Sequence, residues 1–286
     1  MKFYKAHGLG NDFVIIDLDE IGPEKYRRLI KAEEIAKIAD RRKGIGCDQM
    51  VVFRRNDLCL QPAEVWFYNK DGSGAETCGN GLRCLALLLS QKTGEKIFSI
   101  ATKVEGKSIR KYSVLVHENN RVTVNMGAPS FVCGEIPIQK KINPLDVAIE
   151  GIDLRGIAVN VGNPHVVFFA DNLDAIDLAK TAPMIENHPY FPERINVSFA
   201  RVNKNKFDEI YIKVWERGAG RTKSCGSAAC AVVAAANKRF VIRGPVTVFQ
   251  PGGSIVVDLD KNSGDIYQTA EAEIIFSGFY INAANK

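Results

Sequence analysis

The sequence predicts an α/β protein of the α+β kind. It has two pseudo-symmetric halves, each a curved, mostly antiparallel sheet wrapped around one central apolar helix. Three observations lead there. Alternating apolar segments outnumber helical ones along the 286 residues. Two stretches, WFYNKDGSGAETCGNGLRCLALLL (66–89) and YIKVWERGAGRTKSCGSAACAVVAAANK (211–238), share one plan: strand, glycine-rich turn, Cys-Gly-polar, apolar helix. Further blocks recur in the same order. At the offset of 147 that lays Cys78 on Cys225, Asn69 falls on Glu216, Lys70 on Arg217 and Gln49 on Asn196. Gly10–Phe13 meets Gly162–His165 at an offset of 152. An internal duplication with small insertions is the simplest source, and it predicts two halves facing each other across a cleft that holds the active site.

Taken in order, residues 2–18 read as strand, loop, strand, with His7–Asp12 as the loop. Pro23 opens a helix expected to run to Arg42, and Gly44-Ile45-Gly46 turns into a strand at Met50–Phe53. Gly94 caps the first cysteine helix. Strands are expected at Ile97–Thr102, Ser108–Glu118 and Arg121–Met126, the last two joined at Asn119-Asn120. The second half predicts strands at Ile136–Ile138, Val147–Ile149, Gly156–Val161 and Val166–Phe169, then a helix over Leu173–Thr181. Strands Asn196–Val202 and Glu209–Trp215 precede the Ala-rich helix, and Gly244–Gln250, Ser254–Leu259 and Ala270–Tyr280 close the chain. The expected domains are 1–128, with a C-terminal strand at 275–286 returning to it, and 129–274.

Composition narrows the class. A hydrophobic fraction of 46% with 25% charged residues is ordinary for a soluble globular enzyme. The net charge of +5 is scattered, with no basic stripe and no interleaved aromatics, so no nucleic-acid partner is expected. The longest apolar runs are too short for a bilayer, and the N-terminus lacks a signal-peptide core, so neither a membrane nor export is expected. Seven cysteines, an odd number, fit free thiols in a reducing cytoplasm.

Cys78 and Cys225 each sit where a loop feeds a helix. Free N–H groups and the helix dipole there favour a thiolate or a bound carboxylate. The cysteine spacings match neither common zinc sites nor a CxxC pair, so no metal is expected. Cys47, Cys59, Cys84, Cys133 and Cys230 lie inside apolar patterns and read as structural. Two opposed thiols suit inversion at a carbon: one removes a proton and the other returns one to the opposite face. The helix N-termini would stabilise a carbanion beside a carboxylate without a cofactor. A non-enzymatic thiol redox switch or amino-acid-binding protein, with Cys78 and Cys225 forming a disulfide, is the alternative of another class.

HGLGNDF, GIGCDQ, YNKDGS…CGNGLRC, GNPH, RINVSF and ERGAGRTKSCGSAACA together resemble the motif set of the diaminopimelate epimerases. The resemblance is ordered and covers most of the chain. It implies a PLP-independent enzyme interconverting LL- and meso-2,6-diaminopimelate, in lysine and peptidoglycan precursor synthesis, and a homodimer. It makes Cys78 and Cys225 the acid/base pair. Asn11, Gly79, Asn80, Gly226 and Ser227 match positions around the reacting carbon. Gln49, Asn69, Asn163, Asn196, Glu216 and Arg217 match substrate contacts, with Arg217 suited to gripping a carboxylate. His165 and Glu216 are expected to tune the thiols. Proline and hydroxyproline racemases of the same fold are the near alternative. Ala228 departs from the family, which often has glycine there.

Overall fold

The computed structural model describes residues 1–21, 27–55, 63–75, 77–103, 108–240, 242 and 244–281. They form two compact units, 1–124 with 270–286, and 125–269. In chain order the elements are β1 (Lys2–Gly8), β2 (Asn11–Asp17), α1 (Ala32–Ala39), β3 (Gln49–Arg54), β4 (Ala63–Asn69), β5 (Gly74–Ala75), α2 (Gly79–Thr93), β6 (Ile97–Thr102), β7 (Arg110–Val116) and β8 (Arg121–Gly127). There follow β9 (Gly156–Asn160), β10 (Pro164–Phe169), α3 (Leu178–Glu186), β11 (Asn196–Asn203), β12 (Lys206–Glu216), β13 (Gly220–Arg221), α4 (Gly226–Arg239), β14 (Val246–Gln250), β15 (Gly253–Leu259), β16 (Ile266–Glu271) and β17 (Glu273–Phe279).

The strand pairings repeat. In the first unit β1–β2 is antiparallel, β2–β3 parallel, β3–β4 antiparallel, β4–β6 parallel, and β6–β7 and β7–β8 antiparallel. The second unit runs the same series through β9–β10, β10–β11, β11–β12, β12–β14, β14–β15 and β15–β16. Every parallel pair needs a crossover, and α1, α2, α3 and α4 lie in the four crossovers. Register agrees with the sequence offsets: Phe13 pairs with Gln49 as His165 pairs with Asn196. The first unit adds β17 beside β1.

Both faces of each sheet's central part are covered. In β2 and β3, Val14, Ile16, Met50 and Val52 pack with Ile35 and Ile38 of α1. The alternate residues Phe13, Ile15, Val51 and Phe53 are also wholly buried, and the ring of Phe13 lies beside Gly81 of α2. In the second unit Val166, Phe168, Val197 and Phe199 pack with Leu178, Ala182 and Ile185 of α3. Helix α4 lies against β9, β10, β11 and β15. Continuous apolar strands such as FVIID and MVVF follow from this two-sided burial. Helices α2 and α4 are buried along nearly their whole length, as their all-round apolar character requires.

Several expected elements shift. The helix expected over Pro23–Arg42 is interrupted: residues 27–29 are helical, Lys31 is extended, and α1 begins at Ala32 and ends at Ala39. Residues 22–26 of that expectation lie outside the described ones. Ile136–Ile138 is turn rather than strand, and Val147–Ile149 contributes a single bridge, Val147 to Gly156. The helix expected over Leu173–Thr181 is α3, later in the chain, because the Asp177 carboxylate caps it by accepting the N–H of Lys180 at 3.2 Å. The last long strand breaks at Ala272 into β16 and β17. The loop expected at His7–Asp12 tightens to Leu9-Gly10, both with positive φ (54° and 79°), as the twist of a two-residue hairpin demands.

Candidate active site

In the first unit Cys78 is the N-cap of α2, with extended backbone (φ −105°, ψ 115°), and its side chain does not cap the helix. Gly79 and Asn80 form the buried first turn. The Cys78 thiol lies 3.6 Å from Asn11 Oδ1, at the start of β2. Asn80 Nδ2 donates to the same oxygen at 3.3 Å, and buried Arg83 donates to Asn80 Oδ1. Asn11 Nδ2 donates to Asp48 Oδ2 at 3.2 Å. Gln49 and Asn69 are cross-strand partners in β3 and β4, with Gln49 Nε2 donating to Asn69 Oδ1 at 3.2 Å. Asn69 in turn donates to Ser73 Oγ at 3.1 Å. Thus Cys78, Gly79, Asn80 and Asn11 come together, and Gln49 with Asn69 forms a second polar pair.

The second unit builds its counterpart. Cys225 is the N-cap of α4, extended (φ −133°, ψ 114°), followed by Gly226 and Ser227. The Ser227 hydroxyl lies 3.4 Å from Cys225 Sγ and 3.1 Å from His165 Nε2. Nε2 also lies 2.9 Å from Asn163 Oδ1. His165 is fully buried in β10, and desolvation, with help from the Arg217 charge, pushes its pKa down to about 3. It is neutral at ordinary pH, and it reaches the thiol through Ser227. Burial raises the Glu216 carboxyl above its ordinary value, against the opposing influence of Thr222 and Cys225. Asn196 Oδ1 accepts the Arg217 N–H at 2.9 Å, and its amide donates to Pro164 O at 2.7 Å. The Arg217 guanidinium donates to Glu193 O at 3.1 Å. The second unit therefore gathers Asn163, His165, Asn196, Glu216, Arg217, Cys225, Gly226 and Ser227.

Three supporting groups escaped the sequence reading. Gln250 Oε1, at the end of β14, accepts the Cys225 N–H at 2.8 Å. Glu186 in α3 accepts Trp215 Nε1 and the Gly218 N–H, both at 2.8 Å, holding the chain on either side of Glu216 and Arg217. Gln268 Oε1 stands where a side chain on Gly226 would begin. All three are distant in sequence from what they hold, and no local pattern marks them.

The other described cysteines behave as structural residues. Cys84 and Cys230 are wholly buried, and burial pushes the Cys84 thiol well up and that of Cys47 to about 11. Cys59 lies outside the described residues. Among the described residues no cluster of three or more His, Cys, Asp or Glu could hold a metal ion, and no helix is long and apolar enough to cross a membrane.

Comparison with known proteins gives the family and the fold. Residues 3–132 and 157–275 match the family model described as diaminopimelate epimerase. A diaminopimelate epimerase of Pelagibacter ubique is 42% identical over 270 residues, 92% of this chain and 93% of its own. One of Carboxydothermus hydrogenoformans is 38% identical, covering 98% of this chain and 99% of its own. Among solved structures, a Bacillus anthracis phenazine biosynthesis protein of the PhzF family aligns with a TM-score of 0.65 at 14% identity over 99% of both chains. A probable proline racemase of Agrobacterium radiobacter K84 aligns with a TM-score of 0.65 at 12% identity, over 98% of this chain and 92% of its own. These two share the fold. With the family model matching most of its length and near-full-length relatives in agreement, the chain belongs to the diaminopimelate epimerase family.

Proposed function

We propose that the protein interconverts LL- and meso-2,6-diaminopimelate by a two-base thiol mechanism without PLP. The observation that carries this reading is the pair of matched helix starts: each unit presents a cysteine N-cap, then Gly and a polar residue, at a buried helix. The Cys thiolate on one face of the α-carbon takes its proton. The electron pair spreads into the adjacent carboxylate, which the helix N-termini stabilise. The second thiol gives its proton to the opposite face, inverting the centre and leaving the first sulfur a thiol and the second a thiolate. Asn11, Asn80, Gly79, Gly226 and Ser227 suit the reacting end of the substrate. Gln49, Asn69, Asn163, Asn196, Glu216 and Arg217 suit the end that does not react, with Arg217 pairing its carboxylate.

On this reading Glu216 tunes Cys225, and His165 tunes it through Ser227, whose hydroxyl lies 3.1 Å from His165 Nε2 and 3.4 Å from the Cys225 sulfur. On the same reading the enzyme works in the cytoplasm, where six free thiols among the described residues stay reduced. It serves lysine and peptidoglycan precursor synthesis and pairs as a homodimer. Light scattering giving a monomer mass would remove the last point. The division of labour also follows the units: 1–124 with 270–286 supplies Cys78, and 125–269 supplies Cys225.

Two measurements test the central claim. Cys78→Ala and Cys225→Ala are each expected to lose roughly 10²–10⁴-fold or more in turnover while keeping the fold. In D2O the native enzyme is expected to place deuterium at the α-carbon of diaminopimelate with no PLP absorbance. Near-native turnover by either alanine variant would defeat the two-base reading.

A further inference from the structure

The amide relay beneath Cys78 has a fixed polarity. At one end stands Asp48, whose carboxylate oxygens accept hydrogen bonds; at the other stands Arg83, which only donates. Asp48 Oδ2 takes the N–H of Asn11 Nδ2 at 3.2 Å. Arg83 donates to Asn80 Oδ1, which turns Asn80 Nδ2 toward Asn11. Each charged end alone favours the same orientation of the Asn11 amide: nitrogen toward Asp48, oxygen toward Cys78. Neither amide can flip without setting two donors or two acceptors against each other. Asp48 is itself held, because Arg41 Nη2 donates to its Oδ1 at 2.7 Å and to Asp12 Oδ1 at 2.5 Å. Lys5 completes the cluster at 2.5 Å from Asp12.

We propose that Asp48 and Arg83 are positioning residues that lock a carbonyl oxygen against Cys78, so that Cys78 rests as the thiol, the acid of the pair. The inference rests on the two-base reading and adds which sulfur carries the proton at rest. A thiol donates to the oxygen of Asn11 at 3.6 Å; a thiolate would meet it as a repulsive dipole. Among the described residues, the charged and titratable groups linked to this thiol through the Asn11 and Asn80 amides and their partners are Asp12, Asp48, Arg41, Lys5 and Arg83, and the buried Cys84 also interacts with it. Cys225 differs in kind. The group beside it is the Ser227 hydroxyl, 3.4 Å away, which can donate to a thiolate as readily as accept from a thiol.

The test follows the pH dependence of alkylation by iodoacetamide, each thiol read in the variant whose other thiol is serine. Cys78 is expected to titrate above Cys225. In Asp48→Ala its value is expected to fall by about one pH unit, the size of one lost neutral hydrogen bond. Asp48→Asn, in which the end of the relay no longer dictates orientation, is expected to fall in the same direction, and Asp48→Glu to restore the native value. Asp12→Asn, which removes a nearby charge without touching the Asn11 amide, controls for simple field effects and is expected to move Cys78 less. A Cys78 value at or below that of Cys225, or one unmoved in a folded Asp48→Ala or Asp48→Asn, overturns the proposal. So does an equal shift in Asp12→Asn. Alkylation needs no turnover, so a protein that failed to epimerise diaminopimelate yet showed these shifts would sink the proposed reaction and leave the relay standing.

Discussion

A side chain on Gly226 would begin 2.3 Å from Gln268 Oε1, and Gln268 is fully buried. Such a contact cannot be borne, so either the amide or the first turn of α4 must move. Gly226→Ala is expected to destabilise the second unit by ~1–3 kcal/mol and to displace Ser227 and Cys225 with it. A thermal melt with parallel kinetics checks this, and an alanine variant with native stability and turnover would refute it. His165 makes a separate prediction. Its ordinary pKa near 6.5 is pushed down to about 3 in the fold. Between those values the unfolded chain binds a proton that the folded chain does not. Stability is therefore complete above about pH 6.5 and declines as pH falls, by at most ~1.4 kcal/mol per pH unit. His165→Gln keeps a neutral hydrogen-bonding group and is expected to flatten that acid limb in urea melts run from pH 7 to 4. At this scale the sequence was legible where chemistry is local: Cys-Gly-polar at a helix start declares itself. Gln250 and Gln268 were invisible because what they hold lies far away along the chain, and glutamine in a strand carries no signal of its own.

Helix α2 is anchored at both ends by different physics. Its start packs so closely that a side chain on Gly81 would begin 2.5 Å from the Phe67 ring. In its last turn Lys92 reaches Asp17 and Glu20, each at 2.8 Å, and its ammonium lies 4.8 Å from the centre of the Tyr4 ring. The Asp17 side chain is wholly buried, and these ionic partners raise the Lys92 pKa despite desolvation. Lys92→Met leaves the buried carboxylate with only Arg55, 3.9 Å away, as a charged partner in the described structure. A loss of ~3–5 kcal/mol is expected. The compensating pair Lys92→Met with Asp17→Leu is expected to recover much of it. If the double variant melts no higher than the single, the anchor is not ionic. Element boundaries were less legible than elements. The apolar period continues through Lys31, yet the chain there turns extended and α1 starts afresh. Leu173 is buried in the same core as α3 without belonging to the helix, so periodicity alone placed the helix start too early. Burial patterns report which residues face inward, and both turn and helix can satisfy them.

The duplication was the most legible feature of the whole molecule, because a repeated motif order is a property of the chain and needs no packing to be read. The six-pair strand series and the shared Gln49–Phe13 and Asn196–His165 registers give it physical form. What the repeat does not contain is β17. The second unit is one continuous segment, 125–269, whereas the first closes only when 270–286 returns. There β17 pairs with β1 from Lys2–Phe279 to His7–Glu273, and the N-terminal ammonium donates to Tyr280 O at 2.9 Å. Phe276 stacks edge-on against Phe3, with ring centres 6.0 Å apart. Pairing residues so far apart in sequence carries a large loop-closure cost, so this strand is expected to join late. Removing it by truncation after Glu271 exposes the outer edge of β1 and uncovers Phe3 and the flank of α2 that β17 covers. The truncated protein is expected to melt in two steps. The first, several degrees below the native transition, is that of the unit carrying Cys78; the second stays near the native temperature and belongs to 125–269. Tryptophan reports each step separately, because Trp66 lies in β4 and Trp215 in β12. Loss of both signals in one early transition would show that the second unit has no stability of its own, and that the repeat is a pattern of topology without independent folding.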